Sequence, residues 1–299
     1  GVVQLAVLYM RLRRRNFGIL LVRPRLTGPV KSMLGRMGWG FVGSGFYQLN
    51  IIVGVLLASY QSGAVSYLYY ADRMVQLPFA IIGLAAGTVI LTKISDAISA
   101  GKIGAVHQYQ NAAMRQSMML VLPCMAGLFS LAEPIIRILF EHGEWTHAAT
   151  VAVSAAIMIQ VFALPVMTAS QIYLKTLYAS GDARTPVKIS AVSLAAGVAV
   201  MLALAGRFGY LSVPVGTVIS GIVRNIWMNA ACRRRGLFAL NKKTVAANAA
   251  FFALSAAMGA GLWFAKPLAE GAGELAAIMA ASAIMYLSTA AFCDKIIGK

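Results

Sequence analysis

The chain has 299 residues, of which 60% are hydrophobic and only 12% are charged, and its mean hydropathy is +0.76. A soluble domain carries about 25% charged residues, so this composition excludes an ordinary soluble protein and indicates a membrane protein. The formal net charge of +17 does not indicate a nucleic-acid-binding protein, because the basic residues stand in clusters between apolar runs and do not cover a soluble face.

The chain opens with an apolar segment, residues 1–10, and a basic cluster follows it directly at residues 11–15. Ten residues are too few to span a bilayer, which takes about 20, and a signal peptide would carry its charges first. We therefore expect residues 1–10 to be the end of a truncated transmembrane helix in the C-terminal part of a longer protein. Residues 11–36 are then expected to form a basic cytoplasmic linker.

Eight apolar runs follow, each bounded by charged residues. They predict an all-α protein, a polytopic membrane helix bundle with about eight transmembrane helices. Pro123, Pro165 and Pro214 fall inside three of the runs, where we expect kinks, because neighbouring helices in a bundle satisfy the freed backbone groups. The predicted runs are 37–59, 74–92, 116–132, 148–174, 189–206, 208–232, 244–265 and 275–293.

The loops between these runs differ strongly in charge. On one side of this layout lie 22 of the 26 lysines and arginines, and the other side holds only Arg73, Arg137, Arg207 and Lys266. Since cytoplasmic loops carry an excess of lysine and arginine, the first side is expected to be the cytoplasm. An even number of spans returns the C-terminus to that same side.

The stretch at 66–78, SYLYYADRMVQLP, places a cation and an anion side by side at Asp72 and Arg73. An arginine at the bilayer centre costs about 2.5–3.5 kcal/mol, so this pair must face water or a polar cavity. Gln76 and Pro78 follow shortly, and we expect a helix to begin here with the proline in an early turn. The pattern leaves two interpretations open: Arg73 binds an anion at a cavity mouth, or the pair marks a helix end at the membrane interface.

Several amides lie inside the apolar runs and could either join helices by hydrogen bonds or line a wet cavity. Gln48 and Asn50 are candidates in the first run, and the others are Gln160, Gln171, Asn225 and Asn229. Interhelical hydrogen bonds of this kind contribute about 0.6 kcal/mol on average.

Arg224 is the one charge well inside a run, and the pattern leaves its direction open. Its head either snorkels toward the basic cluster at 233–235 or faces the bundle interior.

The sequence shows no pattern of a catalytic or metal site. His142 and His147 flank a glycine in the acidic stretch 141–147, but they lack the spacing of a helical zinc motif. Cys124, Cys232 and Cys293 are far apart and form no CxxC pair. We therefore expect no enzyme, no cofactor and no bound metal.

A loop motif at 181–188, GDARTPVK, joins the fourth and fifth runs. Asp182 is suited to capping the following helix, and Pro186 is suited to its first turn. Arg184 and Thr185 complete the candidate loop motif, whose cations are expected to face the cytoplasm.

Four blocks together carry a family resemblance: YYADRMVQLP at 69–78, GLAAGTVILTKIS at 83–95, EPIIRILFEHGEWT at 133–146 and YASGDARTPVKI at 178–189. The chain resembles the MurJ/MviN family of lipid II flippases, within the multidrug/oligosaccharidyl-lipid/polysaccharide exporter superfamily. The resemblance implies a C-terminal six-helix lobe at 37–232. It also implies a cytoplasmic loop and a final helix pair at 233–299, which form a groove for the lipid tail.

The resemblance further implies alternating access in the bacterial inner membrane, with lipid II or a related polyprenyl-pyrophosphate saccharide as substrate. It implies that Arg73 binds substrate beside Asp72, that Gln76 stands where relatives carry glutamate, and that Arg224 stands where a neutral residue is expected. Membrane lipids and cell-wall synthesis proteins are the expected partners, without nucleic acid. The alternatives are a flippase for another polyprenyl-linked saccharide, a drug exporter of the same superfamily, and a non-transporting membrane scaffold.

Overall fold

The computed structural model describes residues 2–14, 27–269 and 271–298. These residues are helical almost throughout, and none of them lies in a β-strand. The all-α fold predicted from the sequence is therefore confirmed. The chain divides into two units, Gly1–Gly38 and Trp39–Lys299, which are described separately below.

The first unit contains helix α1 (Val2–Arg14) and the beginning of α2 (Gly28–Ala58). α1 continues past the predicted boundary at residue 10, and three arginines in its last turn complement the negative end of the helix dipole. α2 begins at Gly28 and not at residue 37, so both ends of the predicted linker 11–36 are helical. The rest of that linker, 15–26, lies outside the described residues.

The second unit holds the remaining helices in one packed bundle, and short 3₁₀ or π-helical turns adjoin some of them. They are α3 (Ala64–Pro78), a π-helical turn (Phe79–Leu84), α4 (Ala85–Ser99), α5 (Ile103–Phe140), α6 (His147–Gln160), α7 (Ala163–Ala179), α8 (Arg184–Phe208), a 3₁₀ turn (Gly209–Leu211), α9 (Ser212–Arg234), α10 (Lys242–Ala265), a 3₁₀ turn (Lys266–Leu268) and α11 (Ala272–Gly298).

Five helical segments of the described part are long and apolar enough to cross a membrane, and α6 with α7 makes a sixth, bent by 42°. One of the five, Arg184–Arg234, contains both α8 and α9. The apolar section of α2 is the shorter Gln48–Ala58. Taken in order, α2, α3–α4, α5, α6–α7, α8, α9, α10 and α11 correspond to the eight apolar runs of the sequence.

The kink predicted at Pro165 is confirmed, because the 42° bend lies between Gln160 and Ala163. Pro165, in the first turn of α7, has no N–H to donate to the carbonyl one turn earlier. The hydrogen bonding of α6 is therefore not continued into α7, and the helix axis bends between them. Pro123 lies inside α5, which continues through it. Pro214 falls in the first turn of α9, where a missing N–H costs nothing.

The prediction that a helix begins near Arg73 is wrong. The helix begins at Ala64. Gly63, directly before it, has a left-handed conformation (φ 76°) and forms the end of the preceding turn. Pro78 lies within the continuous helical segment Ala64–Ser99, and a π-helical turn directly after it absorbs the lost backbone hydrogen bond. Asp72 and Arg73 therefore do not mark a helix end, and that interpretation of the pair is also wrong.

Helices α8 and α9 form a tight hairpin. Gly209, with a φ of 57°, makes the turn, and the helices meet at two glycines. A Cβ atom on Gly197 would lie 2.7 Å from the Ser220 Cβ and 2.9 Å from the Gly216 carbonyl oxygen. Only glycine at these positions permits so close an approach of two backbones.

The loops of the second unit gather at two ends, which we call the basic end and the aromatic end. At the basic end His107 Nε2 lies 2.8 Å from the Gly236 carbonyl oxygen, and the Asn111 side chain receives the Asn241 N–H at 3.0 Å. At the aromatic end a ring cluster joins α3 to the loops after α5 and α8. Its members are Tyr67, Tyr70, Phe140, Trp145 and Tyr210.

The final helix pair is fastened to α5 at both ends. Arg115 on α5 pairs with Asp294 on α11 at 3.1 Å near the basic end. Glu133 on α5 accepts from the Lys266 ammonium at 2.5 Å near the aromatic end. Between them the Ser130 hydroxyl donates to the Gly259 carbonyl at 2.8 Å. α5 is therefore the helix that holds α10 and α11 against the rest of the bundle.

Candidate functional site

The Asp72 carboxylate lies between two amide side chains from different helices. Gln160 Nε2 on α6 donates to Asp72 Oδ1 at 2.9 Å, and Gln76 Nε2, one turn along α3, donates to Oδ2. A carboxylate with both oxygens occupied by amide donors is fixed in direction. Asp72 therefore joins α3 to α6 and orients Gln76.

Gln76 in turn holds Arg73. The Gln76 side-chain oxygen accepts a hydrogen bond from Arg73 Nη1 at 3.3 Å, and the Arg73 guanidinium carbon lies 4.8 Å from the centre of the Tyr69 ring. Arg73 remains exposed, on the side of α3 opposite to buried Ala71 and Val75. The guanidinium is thus restrained on its own helix while its remaining N–H groups face outward.

The position of Arg73 along its helix agrees with a location near the edge of the hydrocarbon layer. Lys93, toward the basic end of the same continuous helical segment, follows it by 20 residues. At 1.5 Å per residue this is about 30 Å, the thickness of a bilayer's hydrocarbon core. Arg73 therefore lies at the aromatic end, one bilayer thickness from the basic end.

Gln48 and Asn50 do not join this cluster through hydrogen bonds between described residues. Gln48 on α2 is exposed, and Asn50 is half-buried with an enclosed side-chain oxygen. α2 lies against α9 where a Cβ on Gly54 would come within 2.9 Å of Val213. The structure therefore brings Asp72, Arg73 and Gln76 together and leaves the two α2 amides apart from them.

The loop motif lies at the basic end, where Asp182 caps α8. Its Oδ1 accepts from the backbone N–H groups of Arg184 and Thr185, each at 3.0 Å, and its Oδ2 forms an ion pair with Arg235. Arg235 also donates to the Thr185 hydroxyl at 2.9 Å. Pro186 lies in the first turn of α8, as expected from the sequence.

The pKa of Asp182 is lowered below its ordinary value of 3.8. Partial burial alone would raise this pKa, but the hydrogen bonds from Thr185 and Arg235, together with the positive charge of Arg235, outweigh the burial. Asp182 is therefore ionised whenever the loop is folded at neutral pH.

Two residues of these clusters could not be assigned to them from the sequence. Gln160 stands 88 positions from Asp72, and Arg235 stands 50 positions from Thr185. Gln160 was recognisable only as an amide in an apolar run, and Arg235 only as one of three consecutive arginines. No local pattern says which distant partner such a side chain meets.

The acidic stretch after α5 forms a local cap. His147 Nδ1 lies 3.2 Å from Glu141 Oε1, and the Thr146 hydroxyl accepts from the Ala149 N–H at the start of α6. Among the described residues, no three histidine, cysteine, aspartate or glutamate side chains converge on one point.

Comparisons with known proteins give a consistent result. The family model described as "Lipid II flippase MurJ" matches residues 1–281. The chain is 30% identical over 301 residues to "Probable lipid II flippase MurJ" of Rhizobium meliloti, covering 97% of this chain and 56% of that protein. It is 30% identical over 220 residues to the protein of the same description from Rickettsia prowazekii, covering 74% of this chain and 43% of that protein.

A solved structure described as "Lipid II flippase MurJ, inward closed conformation" shares the fold. Its TM-score is 0.71 at 21% sequence identity, and the match covers 93% of this chain and 58% of that one. The chain thus spans about half the length of the curated relatives it matches.

Proposed function

The chain belongs to the lipid II flippase MurJ family, and we propose that it forms the C-terminal lobe and final helix pair of a flippase. The flippase moves lipid II from the cytoplasmic to the periplasmic leaflet by alternating access, and it transports its substrate without chemical change. The observation that carries this proposal is the restrained, exposed guanidinium of Arg73 within a chain of this family.

The chemistry of Arg73 suits a diphosphate. Guanidinium does not deprotonate in proteins, and its fork of N–H donors matches the oxygens of a phosphate group. Gln76 and Tyr69 restrain the side chain beforehand, so less conformational freedom is lost when the ligand binds. In this proposal Arg73 contacts the substrate, whereas Asp72 and Gln76 position the Arg73 side chain.

Gln48 and Asn50 are proposed to line the same transport cavity from α2. The exposed amide of Gln48 and the half-buried amide of Asn50 offer both donors and acceptors to a sugar or peptide head group. This assignment is separate from that of Arg73, because no hydrogen bond between described residues joins the two sets.

The polyprenyl tail is proposed to lie along the final helix pair. An apolar cleft of about 320 Å³ between α5, α7, α9 and α10 supports a lipid-binding role for this region. Met118 and Phe252 are among the residues on its walls. The cleft involves α10 but not α11, so the proposed groove extends from the final pair onto the six-helix lobe.

The proposed location is the bacterial inner membrane, with the basic end and the C-terminus in the cytoplasm. The excess of lysine and arginine at the basic end supports this orientation. The Asp182 motif is then a cytoplasmic loop motif. Cell-wall synthesis proteins are the proposed protein partners, and they act on the substrate before and after it crosses.

Depletion of the gene that encodes this chain tests the function. Cells are expected to lyse while lipid-linked peptidoglycan precursor accumulates in the cytoplasmic leaflet, where an externally added modifying enzyme does not reach it. Accumulation of a different polyprenyl-linked saccharide would assign the chain to that substrate. Normal precursor crossing in depleted cells would contradict a flippase and leave the drug-exporter and scaffold alternatives.

A further inference from the structure

A second cleft, which is polar, lies toward the basic end of the second unit. It encloses about 230 Å³ between α2, α7, α8 and α9. Gly43 forms its wall on α2, Gln171 and Tyr178 its wall on α7, Ser190 its wall on α8, and Arg224 its wall on α9. The cleft therefore combines one permanent positive charge with four neutral polar side chains, those of Ser170, Gln171, Tyr178 and Ser190.

Arg224 takes the inward direction of the two that the sequence left open. It is half-buried and lines the cleft, ten residues before Arg234 at the end of α9. Ten residues of helix correspond to about 15 Å, so α9 carries Arg224 within the membrane-embedded part of the bundle. A charged group at this depth is costly unless it meets polar partners, and such residues commonly mark a ligand pathway or site.

The neutral groups of the cleft differ in what they already bind. The Ser170 hydroxyl donates to the Val166 carbonyl at 2.8 Å and receives the Asn225 amide at 3.3 Å, so its hydrogen-bonding capacity is largely used. The side chains of Gln171 and Ser190 make no hydrogen bond to another described residue. Their amide and hydroxyl donors remain available to a ligand.

The charge of the cleft selects an anion. None of the described residues that line it is acidic, and Arg224 supplies a guanidinium. A forked cationic donor beside neutral N–H and O–H donors is the arrangement that recognises phosphate oxygens.

We propose that this cleft is a phosphate-binding site, in which Arg224 pairs with a phosphate group while Ser190 and Gln171 donate hydrogen bonds to it. The group belongs either to an anionic lipid head group or to a free phosphate or diphosphate, since the recognition chemistry is shared.

This site is separate from the Arg73 cluster. A Cβ on Gly87 of α4 would lie 3.7 Å from the Gln171 Cβ, so Gly87 marks the height of the cleft on α4. Gly87 follows Arg73 by 14 residues of one continuous helical segment, which is about 21 Å. A single phosphate group cannot contact both guanidinium groups.

The test uses the 299-residue chain in nanodiscs and two probes. In phosphatidylcholine nanodiscs, inorganic diphosphate is titrated while binding is followed by calorimetry. In nanodiscs that also contain phosphatidylglycerol, the bound anionic lipids are counted by native mass spectrometry. Saturable binding of diphosphate in the first arm identifies a free phosphate or diphosphate as the ligand. Retention of phosphatidylglycerol in the second arm, without diphosphate binding in the first, identifies a lipid head group as the ligand.

Arg224→Gln is expected to weaken binding of the active probe by about ten- to hundredfold, the value of a charge-assisted hydrogen-bonded contact. Arg224→Lys keeps the charge but loses the fork and is expected to give an intermediate loss. Lys188→Gln is the matched control, because it removes a positive charge from an exposed position on α8, outside the cleft. It should change affinity by no more than about twofold, since salt screens an exposed charge.

Ser190→Val keeps the test decisive if Arg224→Gln does not fold. It removes one neutral donor and is expected to weaken binding about three- to tenfold. Equal losses in Arg224→Gln and Lys188→Gln would overturn the proposal, because they would indicate non-specific charge attraction. Absence of Arg224-dependent binding for both probes would overturn it as well.

Discussion

Arg73 gains its direction from side chains on its own helix. Tyr69, Asp72, Arg73 and Gln76 lie within two turns of α3, and helical spacing brings their side chains together. The hydrogen bond from Gln160 to Asp72 attaches these residues to α6. The two residues are 88 positions apart, so no local sequence pattern predicts this bond. The sequence therefore pointed to Asp72, Arg73 and Gln76 as one group but not to Gln160, which anchors that group to α6.

Asp182 and Arg235 offer a test at the level of single residues. Asp182→Asn removes the ion pair and weakens the α8 cap, and it is expected to lower the free energy of unfolding by about 1 kcal/mol at pH 7. Thermal unfolding in detergent measures the loss. Asp96→Asn is the control, because Asp96 is exposed at the same end and forms no ion pair with another described residue.

The stabilisation that Asp182 provides is expected to depend on pH, and the direction of this dependence follows from its lowered pKa. The folded-state pKa of Asp182 is lowered, so its stabilisation is fully present above the ordinary value of 3.8 and is lost as pH falls through the lowered pKa. The stability difference between the parent chain and Asp182→Asn should therefore be constant near neutral pH and should shrink below pH 3.8. A difference that grows on acidification would contradict the assignment.

At the scale of elements, the sequence predicted the identity and order of the helices better than their ends. The predicted boundaries lie at charged residues, yet α3 continues through Asp72 and Arg73, and the helical segment continues through Pro78. A proline usually interrupts a helix because it removes a backbone hydrogen bond, but here the π-helical turn at Phe79–Leu84 accommodates the change. This accommodation depends on packing against neighbouring helices, which local sequence does not encode.

The α8–α9 hairpin gives a prediction at the element scale. Gly197→Ala is expected to destabilise the fold by about 1–3 kcal/mol, because the added Cβ would lie 2.7 Å from Ser220 and 2.9 Å from the Gly216 carbonyl. Gly127→Ala in α5 is the matched control, since no atom lies within 4 Å of its added Cβ. Alanine there should be neutral or stabilise by up to about 1 kcal/mol.

The melting temperatures of Gly197→Ala and Gly127→Ala in the same detergent measure the two effects. If Gly197→Ala and Gly127→Ala both raise the melting temperature, the close approach of α8 and α9 is not a constraint on the fold.

At the scale of the molecule, the charged residues gather at the two ends of the second unit, and most of its lysines and arginines lie at the basic end. The Asp182–Arg235 pair and the Arg115–Asp294 pair lie at the basic end, whereas the ring cluster and the Glu133–Lys266 pair lie at the aromatic end. Such a polarity orients a protein across a bilayer through the excess of cations on the cytoplasmic side.

Cysteine labelling tests this orientation. In a background without the three native cysteines, Glu144→Cys at the aromatic end is expected to react with a membrane-impermeant maleimide in intact spheroplasts. Lys102→Cys at the basic end should react only after the membrane is opened. Both parent side chains are exposed in loops or at a helix start, so accessibility within the protein is comparable. The reverse labelling pattern would invert the proposed topology.

The most direct test of the central claim is the rate of lipid II translocation with Arg73 replaced in the gene that encodes this chain. Arg73→Ala is expected to reduce translocation at least about tenfold at normal expression, because the contact between its guanidinium and the diphosphate is lost. Arg207→Ala, which removes another exposed arginine toward the aromatic end, should leave the rate unchanged. An unchanged rate in Arg73→Ala would contradict the account.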